Sequence, residues 1–414
     1  MDQQAFYKEL TALQNKFERM EPELEVTVRD PDLDVEGYIV VWNTGVSVGS
    51  ELERCGKGGT RITPNLKQAE VKMLAHRMAL KNAASGLPFG GSKAGLKADP
   101  DAPDFEEKYR RFVSLCKPFL FENGGIFGGF GFDIGARPIH PIWACDELAS
   151  TRCFTGKPVN MGGTDYDKEG IAGLGVAVSA KTALECDGLS AQGACFAVQG
   201  IGAMGAAVIR YFSEFGGKLF AVADLRLNGT WIFGPEGAPQ DLVESLIVGD
   251  IQTAKTLIAA GDFQNIPEAQ EVLYQDIDVI FPCAIQDVIT VDNVTKIKAK
   301  YVTEGANNPT SDAARTELFE RGITVLPDFI ANPGGVIAAY VEMTSKTTPA
   351  ENEKTRINVK NAKKMTRLRI AENTKNILKM ARDLHVEPSH AGQFIALKNI
   401  FKTGCQIKQD MKIA

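Results

Sequence analysis

Along the first 35 residues apolar side chains recur at Phe6, Leu10, Leu13 and Phe17 against a charged background, in steps of four, three and four. That spacing predicts an amphipathic helix. The β-branched and aromatic run from Gly37 to Asn43 reads as a strand. After Asn65 and Gln68, which have the spacing of a capping box, Val71, Leu74 and Met78 share one face of a second helix. Phe105, Tyr109, Phe112 and Cys116 place another over 104–119. Near Gly162 the pattern changes. From about residue 195, short unbroken apolar runs (Cys195–Val198, Leu219–Val222, Ile277–Phe281, Tyr301–Thr303, Ile323–Leu326) alternate with helical stretches. Such runs are the buried strands of a parallel sheet, and their alternation with helices predicts a doubly wound α/β domain. The charged tail carries one more amphipathic helix, 360–384, expected to return to the first domain. The expected organisation is a dinucleotide-binding domain over 161–344 and a second α/β domain over 1–160 with 345–414.

Composition narrows the function. At 414 residues the chain suits two domains, and its 24% charged and 44% apolar residues are those of a globular protein. A net charge of −6 argues against nucleic acid as a partner. The uncharged run from Gly188 to Ile209 holds Gln192, Gln199 and five glycines, so it is not read as a membrane span. Residues 1–8 have neither a basic nor an apolar signal region, and a cytoplasmic location is expected. The eight cysteines lack CxxC spacing and read as free thiols; the four histidines form no ligand pair, so no metal is expected.

Chemistry concentrates at two places. The first is a set of lysines: Lys57 and Lys93 among glycines, and Lys81 near the end of the predicted second helix. The stretch Leu87–Leu96 reads as a glycine-rich loop, and a partly desolvated lysine there would have a lowered pKa and could move a proton near neutral pH. Like charges so clustered imply a bound anion. The competing reading is a solvated surface turn. Asp133, ending a stretch rich in glycine and phenylalanine, is expected to have a raised pKa and to exchange protons with substrate; the alternative is a turn residue. The second place is Gly200-Ile201-Gly202-Ala203-Met204-Gly205, between a strand and a helix, with Asp224 ending the next strand. This is a dinucleotide fingerprint: glycines for the tight turn, a helix N-terminus for the pyrophosphate, an acid for the ribose. Asp224 favours NAD, while Arg226 leaves NADP admissible.

Together Lys57-Gly58-Gly59-x-Arg61, Met78-x-x-Lys81-Asn82-Ala83, Leu87-Pro88-x-Gly90-Gly91-x-Lys93, Asp133-Ile134-Gly135, Gly305-Ala306-Asn307-x-Pro309-Thr310 and Ala331-Asn332-x-Gly334-Gly335-Val336 resemble the glutamate/leucine/phenylalanine/valine dehydrogenase family. The resemblance spans about Gly37 to Glu342. It implies a Rossmann-type cofactor domain beside an α/β substrate-binding and oligomerisation domain, and a homo-oligomer, a hexamer in the family's manner. It also implies that Lys81 binds the substrate α-carboxylate, Lys93 activates water, Asp133 trades protons with the amino group and Lys57 pairs with a side-chain carboxylate. Asn307 would lie by the nicotinamide ribose, Asn332 would be a further cofactor-binding residue, and Val336 and Ala339 would line the substrate pocket. The implied reaction is NAD(P)-dependent oxidative deamination of an L-amino acid, glutamate on the strength of Lys57. Three departures bear on this: Ala339 replaces a serine, Ala172 a threonine and Pro333 an alanine. Alternatives are the same chemistry on a branched-chain or aromatic amino acid, and a nucleotide-binding sensor or assembly protein without turnover.

Overall fold

The run expected as one strand is the middle of a sheet. In the structure, a computed structural model that describes residues 1–402, helix α1 (Gln3–Glu18) is followed by strands β1 (Leu24–Asp30) and β2 (Val35–Trp42), which pair antiparallel. β1 went unrecognised because its alternation of Leu24, Val26 and Val28 with Glu25, Thr27 and Arg29 lies inside the charged stretch after α1. β3 (Gly56–Lys57), β4 (Thr60–Thr63) and β5 (Gly90–Lys97) complete this sheet in the order β1-β2-β5-β3, with β4 also on β5.

The supposed loop around Lys93 is therefore the strand β5. Its glycines serve packing: a Cβ at Gly91 would lie 2.3 Å from the Ala75 carbonyl oxygen of helix α2 (Gln68–Ala84), so only glycine lets the helix close on the strand. The expected capping box is absent. α2 starts at Gln68, whose side chain bonds Glu25 and Thr27 of β1 instead of a backbone N–H. Helix α3 (Phe105–Cys116) buries Phe105, Tyr109, Phe112 and Cys116, as the spacing predicts, in a core shared with β2, β5, the short strands β6 (Phe130–Gly131) and β7 (Phe154–Thr155), and helix α4 (His140–Leu148) between them.

The second sheet has seven strands. After helix α5 (Ile171–Cys186) come β8 (Cys195–Gln199), helix α6 (Ala203–Glu214), β9 (Lys218–Asp224), β10 (Gly229–Ile232), helices α7 (Gln240–Val248) and α8 (Ile251–Ala260), β11 (Gln264–Ile266), β12 (Val279–Pro282), β13 (Tyr301–Thr303), helix α9 (Asp312–Glu320) and β14 (Thr324–Leu326). The order is β11-β10-β9-β8-β12-β13-β14. The five predicted apolar runs are its parallel strands, while β10 and β11 add an antiparallel edge. The chain continues through helices α10 (Asp328–Ala331), α11 (Gly334–Thr344), α12 (Pro349–Thr355), α13 (Ile357–Leu384) and α14 (Pro388–Ile400). The predicted loop 331–336 is thus mostly helix, with only Asn332 and Pro333 between α10 and α11.

Two compact units result. One comprises Met1–Tyr7, Asp167–Gly334 and Met365–Gly392; the other comprises Lys8–Tyr166, Gly335–Lys364 and the described residues from Gln393 to Lys402. The division differs from the expected one, because most of α11 joins the unit with Lys93, whereas most of α13 joins the unit with the fingerprint. A helix's own period says that one face is buried, not against what. Ser179 of α5 bonds Thr374 of α13 at 3.0 Å, one of the contacts that hold the tail to this unit. Among the described residues no helix is long and apolar enough to cross a membrane.

Candidate active site

The first candidate site is built on β3, β4, β5 and the segment after β6. Lys93 Nζ lies 2.7 Å from Asp133 Oδ2, and Arg61 Nε lies 2.9 Å from the same oxygen. Arg61 also reaches Glu70 of α2 at 2.8 Å. Gly59 makes this approach feasible, since a Cβ there would stand 2.4 Å from the Phe132 carbonyl oxygen. Burial pushes the Lys93 pKa down, and the partial compensation by Asp133 leaves it lowered, as expected from the sequence. The raised pKa expected for Asp133 is overturned: burial does raise it, but the charges and hydrogen bonds of Lys93 and Arg61 outweigh that, and the carboxyl sits below its ordinary value. The sequence around Arg61 does not show its role, because its value as a carboxylate partner depends on a residue 72 positions away.

Lys57 is no loop lysine either. It is fully buried, and its ammonium donates to the carbonyls of Gly58, Gly129 and Phe130 at 3.0, 2.9 and 2.8 Å. Burial lowers its pKa to about 7, opposed by Cys55 and Glu342, with smaller contributions of the same sign as burial from Lys157 and Lys93. Asn82 ties these segments together, its amide donating to the carbonyls of Lys57 and Gly90 at 2.9 and 2.8 Å. Lys81 precedes it, half-buried in the last turn of α2. In the same unit Val336 is half-buried and Ala339 buried on α11. Glu342, one turn further on, was not singled out in the sequence: it pairs with Lys157 at 2.8 Å and accepts from the backbone N–H of Gly156 and Thr164.

The second candidate site is the β8–α6 turn. Gly200 has φ +84° and Gly205 packs so closely that a Cβ would meet the Gly200 carbonyl oxygen at 1.8 Å. Gly202 is exposed and a Cβ there would meet nothing within 4 Å, leaving open space before the α6 N-terminus, next to Ala203 and Met204. This is the cradle a pyrophosphate requires. Asp224 accepts from the Ile201 N–H at 2.7 Å and from Arg226 Nε at 2.7 Å; burial raises its pKa, but these bonds prevail and bring it to about 2. Arg226 lies across the carboxylate and also donates to the Ile201 carbonyl at 2.7 Å. Asn307 is exposed, and buried Asn332 donates to its Oδ1 at 3.2 Å and to the Gly305 carbonyl at 3.1 Å. Ala172 is half-buried at the start of α5. Among the described residues no group of three His, Cys, Asp or Glu side chains could hold a metal ion.

The chain is similar to known proteins in sequence and fold. The glutamate dehydrogenase of Thermotoga maritima is 36% identical over 74% of this chain and 73% of its own. The NADP(+)-dependent glutamate dehydrogenase of Pyrobaculum calidifontis is 33% identical over 69% and 68%. The crystal structure of glutamate dehydrogenase from Peptoniphilus asaccharolyticus, 26% identical, superposes with a TM-score of 0.72 over 96% of this chain and 97% of that one; the same organism's sequence is described as NAD-specific. Residues 162–404 match the model of the Glutamate/Leucine/Phenylalanine/Valine dehydrogenase family and residues 22–134 that of the Glu/Leu/Phe/Val dehydrogenase dimerisation domain. With both models matched in order and the lysine, aspartate and glycine-turn geometry in place, the chain belongs to the Glu/Leu/Phe/Val dehydrogenase family.

Proposed function

We infer that the protein catalyses the reversible NAD(P)-dependent oxidative deamination of an L-amino acid, with L-glutamate giving 2-oxoglutarate and ammonia. The observation that carries this reading is the Lys93–Asp133 pair at 2.7 Å, two groups of shifted pKa joined by one hydrogen bond. A bound nicotinamide supplies the hydride acceptor. Gly200, Gly202, Ala203, Met204 and Gly205 would receive its pyrophosphate, Asp224 its adenosine ribose, and Asn307 and Asn332 the nicotinamide ribose.

On the substrate, Lys81 holds the α-carboxylate as a fixed cation, which orients the α-carbon for hydride loss. Asp133 takes a proton from the substrate amino group and later returns one to departing ammonia. Lys93, its pKa lowered by burial, activates the water that attacks the substrate imine; its bond to Asp133 gives the proton a path between the two. Lys57 presents the charge for a side-chain carboxylate. Val336 and Ala339 line the pocket for the substrate's carbon chain.

For the cofactor we favour NAD. Asp224 supports it, yet Arg226 neutralises that acid, so the pocket does not simply repel a 2′-phosphate. The relatives likewise include NAD-specific and NADP-dependent enzymes. A homo-oligomer, hexameric in the family's manner, is part of this reading. So is a reducing cytoplasm, in keeping with seven free thiols among the described residues.

One observation favours a second substrate reading. All three ammonium hydrogens of Lys57 already meet backbone carbonyls, and Ala339 offers no hydrogen bond, which would suit an apolar amino acid. Nicotinamide reduction with a panel of L-amino acids separates the two. Glutamate should be the best substrate, and Lys57→Met should lower its kcat/KM roughly ten- to a hundredfold, the loss of a charged hydrogen bond of about 1.5–3 kcal/mol. Turnover of leucine or phenylalanine but not glutamate would establish the second reading; NAD binding without turnover would leave a sensor.

A further inference from the structure

Beneath the Lys57 cage lies a buried thiol pair that the reaction does not use. Cys145, in the last turn of α4, and Cys153, just before β7, bring their sulfurs to 3.9 Å. Both are buried, with 6% and 1% exposure. Cys153, with Thr151, Arg152 and Thr155, also walls a cavity of about 650 Å³ lined within this unit, a route for a small oxidant to sulfurs that are otherwise enclosed. Cys153 is joined to the Lys57 site through backbone. Its carbonyl accepts the Phe130 N–H at 2.7 Å, and β7 pairs with β6 in the register Phe154 to Phe130. Gly129, at φ +86°, presses against the same carbonyl, with 2.3 Å to the position of a Cβ. The carbonyls of Gly129 and Phe130 are two of the three that hold Lys57.

We propose that Cys145 and Cys153 form a reversible intrachain disulfide, driven by a peroxide, that displaces the Gly129–Phe130 carbonyls from Lys57 and thereby lowers turnover. Its effect on turnover rests on the amino-acid dehydrogenase reading above. Cys153 donates its S–H to Cys145 across the gap, and that bond lowers the Cys145 pKa, so the Cys145 sulfur is the one that acts as thiolate. That sulfur attacks a peroxide oxygen: an S–O bond forms, the O–O bond breaks, and the hydroxide released takes a proton to become water. The Cys153 sulfur, losing its own proton, then attacks Cys145; the S–S bond forms, the S–O bond breaks, and a second water leaves. Two thiols and one peroxide give one disulfide and two waters, and a dithiol reductant reverses the change. The sulfurs must close from 3.9 Å to about 2.05 Å, and the Cys153 carbonyl, one residue before β7, moves with them.

The full-length protein, treated with hydrogen peroxide, should yield a Cys145–Cys153 cross-linked peptide in non-reducing mapping. Amide exchange over 129–131 should speed up, kcat/KM should fall roughly ten- to a hundredfold, as for a misplaced binding group, and dithiothreitol should restore both. Cys145→Ser and Cys153→Ser should keep their activity under the same treatment. The proposal is overturned if no such cross-link forms, if it forms with exchange and turnover unchanged, or if either serine variant is inactivated equally. Should those variants fail to fold, wild-type mapping and its reversal decide; should no amino acid be oxidised, cross-linking with exchange still tests the device apart from the reaction.

Discussion

Replacing Lys57 by methionine keeps the length of a side chain that is wholly enclosed and removes its charge. Burial has brought its pKa from the ordinary 10.5 to about 7, which corresponds to a cost of holding the ammonium in place on the order of 5 kcal/mol. Against this, methionine leaves the carbonyls of Gly58, Gly129 and Phe130 without their donor, at about 1–3 kcal/mol for each that stays dry. At neutral pH the two effects offset in large part. Their pH dependence does not. Because the folded value lies below the unfolded one, the unfolded chain binds more protons between them, and wild-type stability must rise with pH over that window. Relative to Lys57→Met the gain should approach about 1.4 kcal/mol per pH unit, on the order of 3 kcal/mol from about pH 7 to about pH 9. Urea unfolding of both proteins at several pH values measures it. If the two stability curves run parallel, Lys57 titrates as an ordinary exposed lysine and the carbonyl cage is not its resting place.

Three other substitutions test the site. Asp133→Asn keeps an acceptor for Lys93 and Arg61 but cannot carry the substrate's proton; kcat for amino-acid oxidation should drop roughly 10²- to 10⁴-fold, and a loss confined to thermal stability would reduce Asp133 to a structural partner. Arg226→Ala frees the Asp224 carboxylate from the cation at 2.7 Å; kcat/KM should move toward NAD and away from NADP by roughly tenfold, the value of a charged contact of about 1.4 kcal/mol or more, and an unchanged ratio would place cofactor choice elsewhere. Glu342→Gln strands the buried Lys157 ammonium and should lower stability by about 3–5 kcal/mol, read as a fall in the urea midpoint at constant slope.

Much of the cofactor unit was legible in advance. Its parallel strands are apolar runs because both faces of the sheet are covered, and its turn reads G-x-G-x-x-G because Gly200 takes a positive φ and Gly205 abuts its neighbour's backbone; both are local demands that each residue answers alone. Lys57, Lys93 and Asp133 could be named for the same reason, as charges in glycine-rich company. Whether the glycines meant loop or strand was another matter. Gly90 and Gly91 serve β5 by admitting Trp42 and Ala75 at close range, and nothing within the stretch itself announces those partners. The same holds for α13, whose apolar face fits a core without saying which, and for Asp133, read as a carboxyl in apolar surroundings until Lys93 and Arg61 stood beside it. Lys57 meets the Phe130 carbonyl across 73 positions of chain. By itself, then, the sequence determined the elements with a period, the fingerprint and the charged residues that are candidates for the site. Tertiary structure alone decided which charges are paired, which are caged and which way each pKa moves, because burial and Coulomb energy depend on distances between groups far apart in the chain.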